Sequence, residues 1–365
     1  MKILHVIDTL ARGGAERLLV MLLPELVRQG HVVTVAVRSA PYDLQPELEA
    51  AGVPVIRLPN RHKWNLLAGA RDIARVMPEA EILHAHLYFP AVNTALARLM
   101  GVSRARTFVT FHNLAYAGAN RDGLKLRFRK ALARYVYRRG MIAKLAVSQA
   151  VADHYREALS LDRVEVVYNP IDLKVVGAVQ EMPRDPDAPL HIVLPGRLVT
   201  EKGHRDLVAA LRDPRLAERS FKITFAGHGR LQSDLQEAAG DLPFPVTITG
   251  NLEHAAFLNV MATADIIVIP SLYEGFGLTA LEAMSLSKPV IASTAGGLPE
   301  VMGNTGRLVP VGDVDGLAQA ILELADDPGL RETMGKTARA RAEAEFALPA
   351  IAAQLIKIYE AAITG

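Results

Sequence analysis

Short runs of β-branched and aliphatic residues alternate with amphipathic segments along this whole chain, and few hairpin signals stand between them. Two strands that follow one another in parallel need a crossover, and a helix is the usual one. The alternation therefore restricts the chain to an α/β fold whose parallel sheets are covered on both faces.

In the first half the strand-like runs are 3–7, 32–37, 53–58, 82–85, 107–110, 145–147 and 164–168, with helical segments at 16–29, 64–76 and 90–99. A second series at 191–194, 222–225, 246–249, 266–269 and 289–292 follows a stretch, 174–189, that contains Pro183, Pro186 and Pro189 and reads as a linker. At 365 residues the chain is comfortable as two domains. The expected architecture is two Rossmann-like domains with parallel sheets facing a central cleft: 1–175, a linker at 176–189, and 190–346. An amphipathic helix follows at 347–365, with Ile351, Leu355, Ile358 and Tyr359 on one face. The absence of cysteine excludes disulfides and Cys-ligated zinc. No run approaches the length of a membrane span, and the apolar run after Met1 is too short for a secretory signal, so a cytoplasmic protein is expected.

The strongest chemical signal is Glu274-Gly275-Phe276-Gly277-Leu278 with Glu282 beyond it. A buried strand ends at Pro270 just before, and a helix with Thr279 as its expected N-cap begins just after. Both acids then lie at the carboxyl end of a sheet strand, where open α/β sheets bind ligands. Carboxylates suit sugar or ribose hydroxyls, and loop amides at a helix start suit phosphate. A second signal, Gly196-Arg197-Leu198 and Glu201-Lys202-Gly203, follows the first strand of the second series. Arg197 offers a planar fork for phosphate and Lys202 a point charge. Together they suit a diphosphate and its stabilisation as a leaving group. Gly229, in Gly227-His228-Gly229, ends the next strand and allows close backbone approach.

In the first half, Gly13-Gly14-Ala15-Glu16 forms the first strand-to-helix turn but lacks dinucleotide-fingerprint spacing. His112 at a strand end is the better sugar-binding candidate. His84, His86 and His112 would be the members of a three-histidine metal site, but His84 and His86 alternate on a strand, expected to be partly buried, with no acid nearby to complete the ligand set. Asp185-Pro186-Asp187 falls in the linker, and Asp313-Val314-Asp315 reads as a turn and helix cap, so no metal or other cofactor is expected.

Net charge of +2 conceals a split: residues 1–180 carry 25 Lys and Arg against 15 Asp and Glu, and residues 181–365 carry 16 against 24. Much of the basic excess lies at 121–139, which holds Arg127, Arg129, Lys130 and Arg134, with Leu124, Phe128, Ala131, Leu132 and Tyr135 on one helical face. Such a helix suits an anionic membrane surface, or packs through its apolar stripe. Nucleic acid is not expected, since no aromatic platform accompanies the charge.

These motifs resemble those of family 4 glycosyltransferases of the GT-B fold, over nearly the whole chain. Weaker matches are Thr110-Phe111-His112, Tyr168-Asn169-Pro170-Ile171-Asp172 and Ala295-Gly296-Gly297-Leu298-Pro299-Glu300. Pro170 stands where the family usually has glycine. The resemblance implies retaining, metal-independent transfer of a sugar from a nucleotide-diphosphate donor, a UDP-sugar before a GDP-sugar, to a lipid-linked saccharide or other cell-envelope glycan precursor. It implies that Arg197 and Lys202 hold the diphosphate, that Glu282 holds the ribose, and that Glu274 with the Phe276, Gly277 and Leu278 backbone meets sugar and phosphate. His112 would contact the sugar, Gly14 would lie near diphosphate or acceptor, and the C-terminal helix would cross back to the first domain. A nucleotide-sugar epimerase or a sugar phosphorylase is the alternative on the same fold. A solute-binding protein would be secreted and is disfavoured.

Overall fold

The computed structural model describes every residue except 60, 118–122, 180–184, 186 and 365. Contacts divide it into one unit of Met1–Pro170 with Leu348–Gly365 and another of Ile171–Ala347.

In the first unit, β1 (Lys2–Ile7), β2 (Val32–Val37), β3 (Val55–Arg57), β4 (Ile82–His86), β5 (Arg106–Phe111), β6 (Ala143–Ala146) and β7 (Glu165–Val166) form one parallel sheet in the order β3-β2-β1-β4-β5-β6-β7. The central strands are buried on both faces because helices cover both sides. Strand order reverses between β1 and β4, which makes the space beyond their carboxyl ends the binding crevice of this unit. The helix Leu348–Thr364 belongs here: Leu348, Ile351, Leu355, Ile356 and Tyr359 join the core formed by Ile3, Leu19, Leu23 and Val35. The chain leaves and re-enters this unit at adjacent points. Ile171 N–H donates to the Phe346 carbonyl at 2.8 Å, and Ile171 bridges Ala347.

In the second unit, β8 (Leu190–Pro195), β9 (Phe221–Ala226), β10 (Val246–Ile248), β11 (Ile266–Ile269), β12 (Val290–Ser293) and β13 (Arg307–Val309) form a parallel sheet in the order β10-β9-β8-β11-β12-β13, reversing between β8 and β11. Several of its elements escape the sequence pattern, β13 and one long helix among them. β13 is three residues long and begins with an arginine. The helix Pro328–Glu345 buries only Met334, Gly335, Ala338 and Ala342, side chains too small to mark a face, while i,i+4 ion pairs such as Arg339–Glu343 support its outer side. The stretch read as a linker opens with the helix Leu173–Gly177 of this unit; Pro183 and Pro186 lie outside the described residues.

Leu355 is 2% exposed within the first unit. Leu355→Ala is expected to destabilise that unit by about 3 kcal/mol through a cavity in its core. The single tryptophan, Trp64, lies in the same unit, so urea unfolding followed by its fluorescence reads this effect. An unchanged midpoint would show that the helix is not part of that core.

Candidate active site

In the second unit the loops after β8 and β11 flank the point where strand order reverses. The β8 loop turns at Gly203 (φ 70°), where any β-carbon would collide with the Pro270 carbonyl of the β11 loop. Leu272 N–H also donates to the Glu201 carbonyl at 2.9 Å, so the two loops are tied backbone to backbone. This places Lys202 Nζ 2.5 Å from Glu274 Oε2, with both side chains 17% exposed. The β12 loop braces the same structure: Gly296 (φ 52°) packs so tightly on the Glu274 carbonyl that no side chain fits. Arg197 is exposed at the mouth of the β8 loop, and Gly229 lies against the Leu198 carbonyl of that loop.

The helix after the glycine loop is Leu278–Ser285, and its N-cap is Gly277 (φ 109°), not Thr279 as the sequence suggests. Glycine takes the cap because this backbone conformation is unfavourable for a β-branched residue. No side chain caps the helix, and Leu281 N–H is the first to bond back, to Gly277 O at 3.0 Å. The Leu278 and Thr279 N–H groups are thereby left pointing out of the helix start, where the dipole favours an anion. The Phe276 side chain is buried against Phe346, so only its backbone serves a site. Glu282 is 6% exposed on this helix, and its Oε1 accepts from His254 Nε2 at 2.8 Å, which leaves Oε2 for a ligand. His254 escaped the sequence reading; its only signal is a polar ring at the start of an otherwise apolar helix.

In the first unit, Gly14 faces open space at the start of the helix Gly14–Arg28, while a methyl on Gly13 would strike the Glu16 carboxylate. Asp8 and Arg38, at the ends of β1 and β2, form an ion pair at 2.5 Å that the sequence did not announce. Burial pushes the Asp8 carboxyl up, and Arg38 opposes that shift. The histidines form a file across β1, β4 and β5: His5 Nδ1 lies 2.9 Å from His86 Nε2, and His86 Nδ1 lies 2.9 Å from His112 Nε2. His84 bonds Thr110 and Tyr359. Among the described residues the set with metal-like proximity is His5, His84 and His86, whose ring nitrogens lie within 4.8 Å of one another, rather than a set containing His112. His84 and His86 are fully buried, not partly so, and His5 was not singled out by sequence. Elsewhere, Asp313 caps its helix through Gly316 N–H as expected, and Asp185 accepts from Asp187 N–H.

The basic helix runs Leu124–Gly140; Arg121 and Asp122 lie outside the described residues. Its buried face is Ala133, Val136, Tyr137 and Gly140. The stripe expected from the sequence is instead turned outward: Leu124 is 83%, Phe128 60% and Tyr135 55% exposed. Arg127 and Arg134 are exposed beside it, whereas Arg129 lies over the Tyr88 ring and Lys130 over Tyr116. Arg127, Lys130, Arg134 and Arg138 line a shallow groove of about 620 Å³.

Burial lowers His5 to about 3 and His112 to about 4, and holds His84 and His86 well below the usual imidazole range. Each takes up a proton when the first unit unfolds below about pH 6.5. Stability of that unit is expected to be complete above about pH 6.5 and to fall as pH drops towards about 4, by up to about 1.4 kcal/mol per pH unit for each histidine. Urea titrations at stepped pH, read by Trp64, test this, and a flat profile across the window contradicts it.

Sequence comparison matches the family model "Glycosyltransferase Family 4" to residues 12–175 and "Glycosyl transferases group 1" to residues 189–327. Over 172 residues the chain is 37% identical to a Corynebacterium glutamicum GDP-mannose-dependent monoacylated alpha-(1-6)-phosphatidylinositol monomannoside mannosyltransferase, covering 45% of each protein. It thus spans about half the length of that relative. It is 27% identical to the Mycolicibacterium smegmatis phosphatidyl-myo-inositol mannosyltransferase, over 95% of this chain and 90% of that protein. Among solved structures, Anabaena Alr3699/HepE in complex with UDP superposes with a TM-score of 0.83 at 22% identity, over 99% of this chain and all of that one.

Proposed function

Because the chain belongs to glycosyltransferase family 4, we propose that it transfers a hexosyl group from a nucleotide-diphosphate sugar to a lipid-linked saccharide or other cell-envelope glycan acceptor. The observation that carries the reading is the Lys202–Glu274 pair held where the second sheet reverses, beside an uncapped helix start. Arg197, Lys202 and the Leu278 and Thr279 N–H groups supply donors for a diphosphate. They stabilise the charge that develops as it leaves, and that is transition-state rather than ground-state binding. Glu282 Oε2 takes a ribose hydroxyl, with His254 holding the carboxylate in place. Glu274 orients Lys202 and meets the transferred sugar. With the diphosphate neutralised by side chains and amides, the reaction runs without a metal ion. Attack on the face the phosphate leaves gives retention.

The family resemblance implies a UDP-sugar, and the HepE structure contains UDP; the relative at 37% identity is named for GDP-mannose. Incubation with UDP-, GDP- and ADP-sugars, with and without EDTA, is expected to release nucleotide from one donor class and to be insensitive to EDTA. Release from none overturns the reading; loss in EDTA overturns metal independence alone. Arg197→Ala and Lys202→Ala are each expected to lower kcat/KM about 10²-fold.

The acceptor side rests on the outward stripe of Leu124, Phe128 and Tyr135 flanked by Arg127 and Arg134. None of the described helices is long and apolar enough to cross a membrane. The helix Leu124–Gly140 instead lies flat at an anionic bilayer surface, with the aromatic rings in the headgroup layer. Flotation with vesicles is expected to recover the protein with anionic but not neutral lipid, and Phe128→Ser with Arg134→Ser to abolish recovery. Absence from anionic vesicles even at low salt refutes the docking.

A further inference from the structure

The reading above employs His112 and leaves the buried rings behind it without a task. His5 on β1 and His86 on β4 are 0% and 1% exposed, and they stack at a centroid distance of 5.2 Å. Two hydrogen bonds in series join them to His112, which is half-buried just past the end of β5. Of the three rings only that of His112 is not fully buried, and it lies at the carboxyl end of the sheet, where ligands bind. We propose that His5 and His86 are positioning residues that fix the tautomer of His112, so that His112 offers an Nδ1–H donor to an oxygen of a hydroxylated ligand. This rests on the reading of His112 as a sugar contact.

A neutral imidazole has one N–H and one bare nitrogen, and the bond made by one nitrogen decides the state of the other. Two neutral rings cannot both donate along one line, so the series has two coherent settings. In one, His112 Nε2–H donates to His86 Nδ1 and His86 Nε2–H donates to His5 Nδ1. The proton of His5 then sits on Nε2, which is buried with no partner among the described residues. In the other, His5 Nδ1–H donates to His86 Nε2 and His86 Nδ1–H donates to His112 Nε2. His5 Nε2 is then a bare acceptor, and the His112 proton sits on Nδ1. An orphaned buried N–H is rarer than an under-satisfied acceptor, which selects the second setting. Protonating His86 or His112 would remove an acceptor and break the series, and burial opposes that. His84 stands outside it, engaged by Thr110 and Tyr359. A metal on His5, His84 and His86 would need the His86 lone pair that accepts from His5 and a His84 nitrogen now held by Thr110 or Tyr359.

Long-range proton–nitrogen NMR of ¹⁵N-histidine-labelled protein near pH 7.5 distinguishes protonated from bare ring nitrogens and requires no substrate. The expected spectrum shows His86 and His112 as Nδ1–H tautomers, and His5→Phe moves His112 to a mixture of both. Nε2–H on wild-type His112, an unchanged His112 in His5→Phe, or stoichiometric zinc in the purified protein would each overturn the proposal. If His5→Phe does not fold, the wild-type spectrum decides. In the transfer assay His5→Phe is expected to lower kcat/KM about fivefold to tenfold through a raised KM, the scale of one misdirected hydrogen bond, and His5→Asn, which restores an N–H near the Nδ1 position, to recover most of it. If no donor is turned over, the transferase reading fails while the tautomer result still stands or falls alone.

Discussion

The contact on which the second unit depends is backbone against backbone. The loops after β8, β11 and β12 approach so closely that Gly203 has room only for hydrogen against the Pro270 carbonyl, and Gly296 only for hydrogen against that of Glu274. Main-chain contact has no rotamers to change. The Lys202 and Glu274 side chains therefore start from fixed points, and an ion pair between two flexible stems needs less ordering than it would on open surface. Preorganisation of this kind is what electrostatic stabilisation of a leaving group requires.

Much of this was legible. Apolar runs of strand length gave both parallel sheets, and the acids and bases singled out in 196–203 and 274–282 do fall at the reversal point of one sheet. What escaped was decided by geometry that hydrophobicity does not encode. Thr279 is a good cap by residue type, but the chain reaches the helix through a left-handed turn, and Gly277 holds the place. On the basic helix the large residues Leu124, Phe128 and Tyr135 suggest the buried face, yet Ala133, Val136, Tyr137 and Gly140 are buried. A β-carbon on Gly140 would meet Ala95, so the neighbouring helix Tyr88–Leu99 comes too near for anything bulky. Close approach at Gly140 leaves no room for a side chain there, and the one bulky residue on the buried face is Tyr137.

The polar interior of the first unit has a similar cause. β1, β4 and β5 lie in register, so His5 stands opposite His84, and His86 opposite Thr110. One strand's sequence shows an isolated histidine; only the pairing of strands distant in the chain turns several into a chain of hydrogen bonds.

The return of the last helix to the first unit has a consequence for synthesis. During translation β1 to β7 emerge early, but the side chains that complete their core, from Leu348 to Tyr359, emerge only after the whole of the second unit. The second unit is contiguous and can fold as it appears, whereas the first must wait with apolar strands uncovered. The unit made first is finished last, and until then the side of its core that the last helix covers stays open.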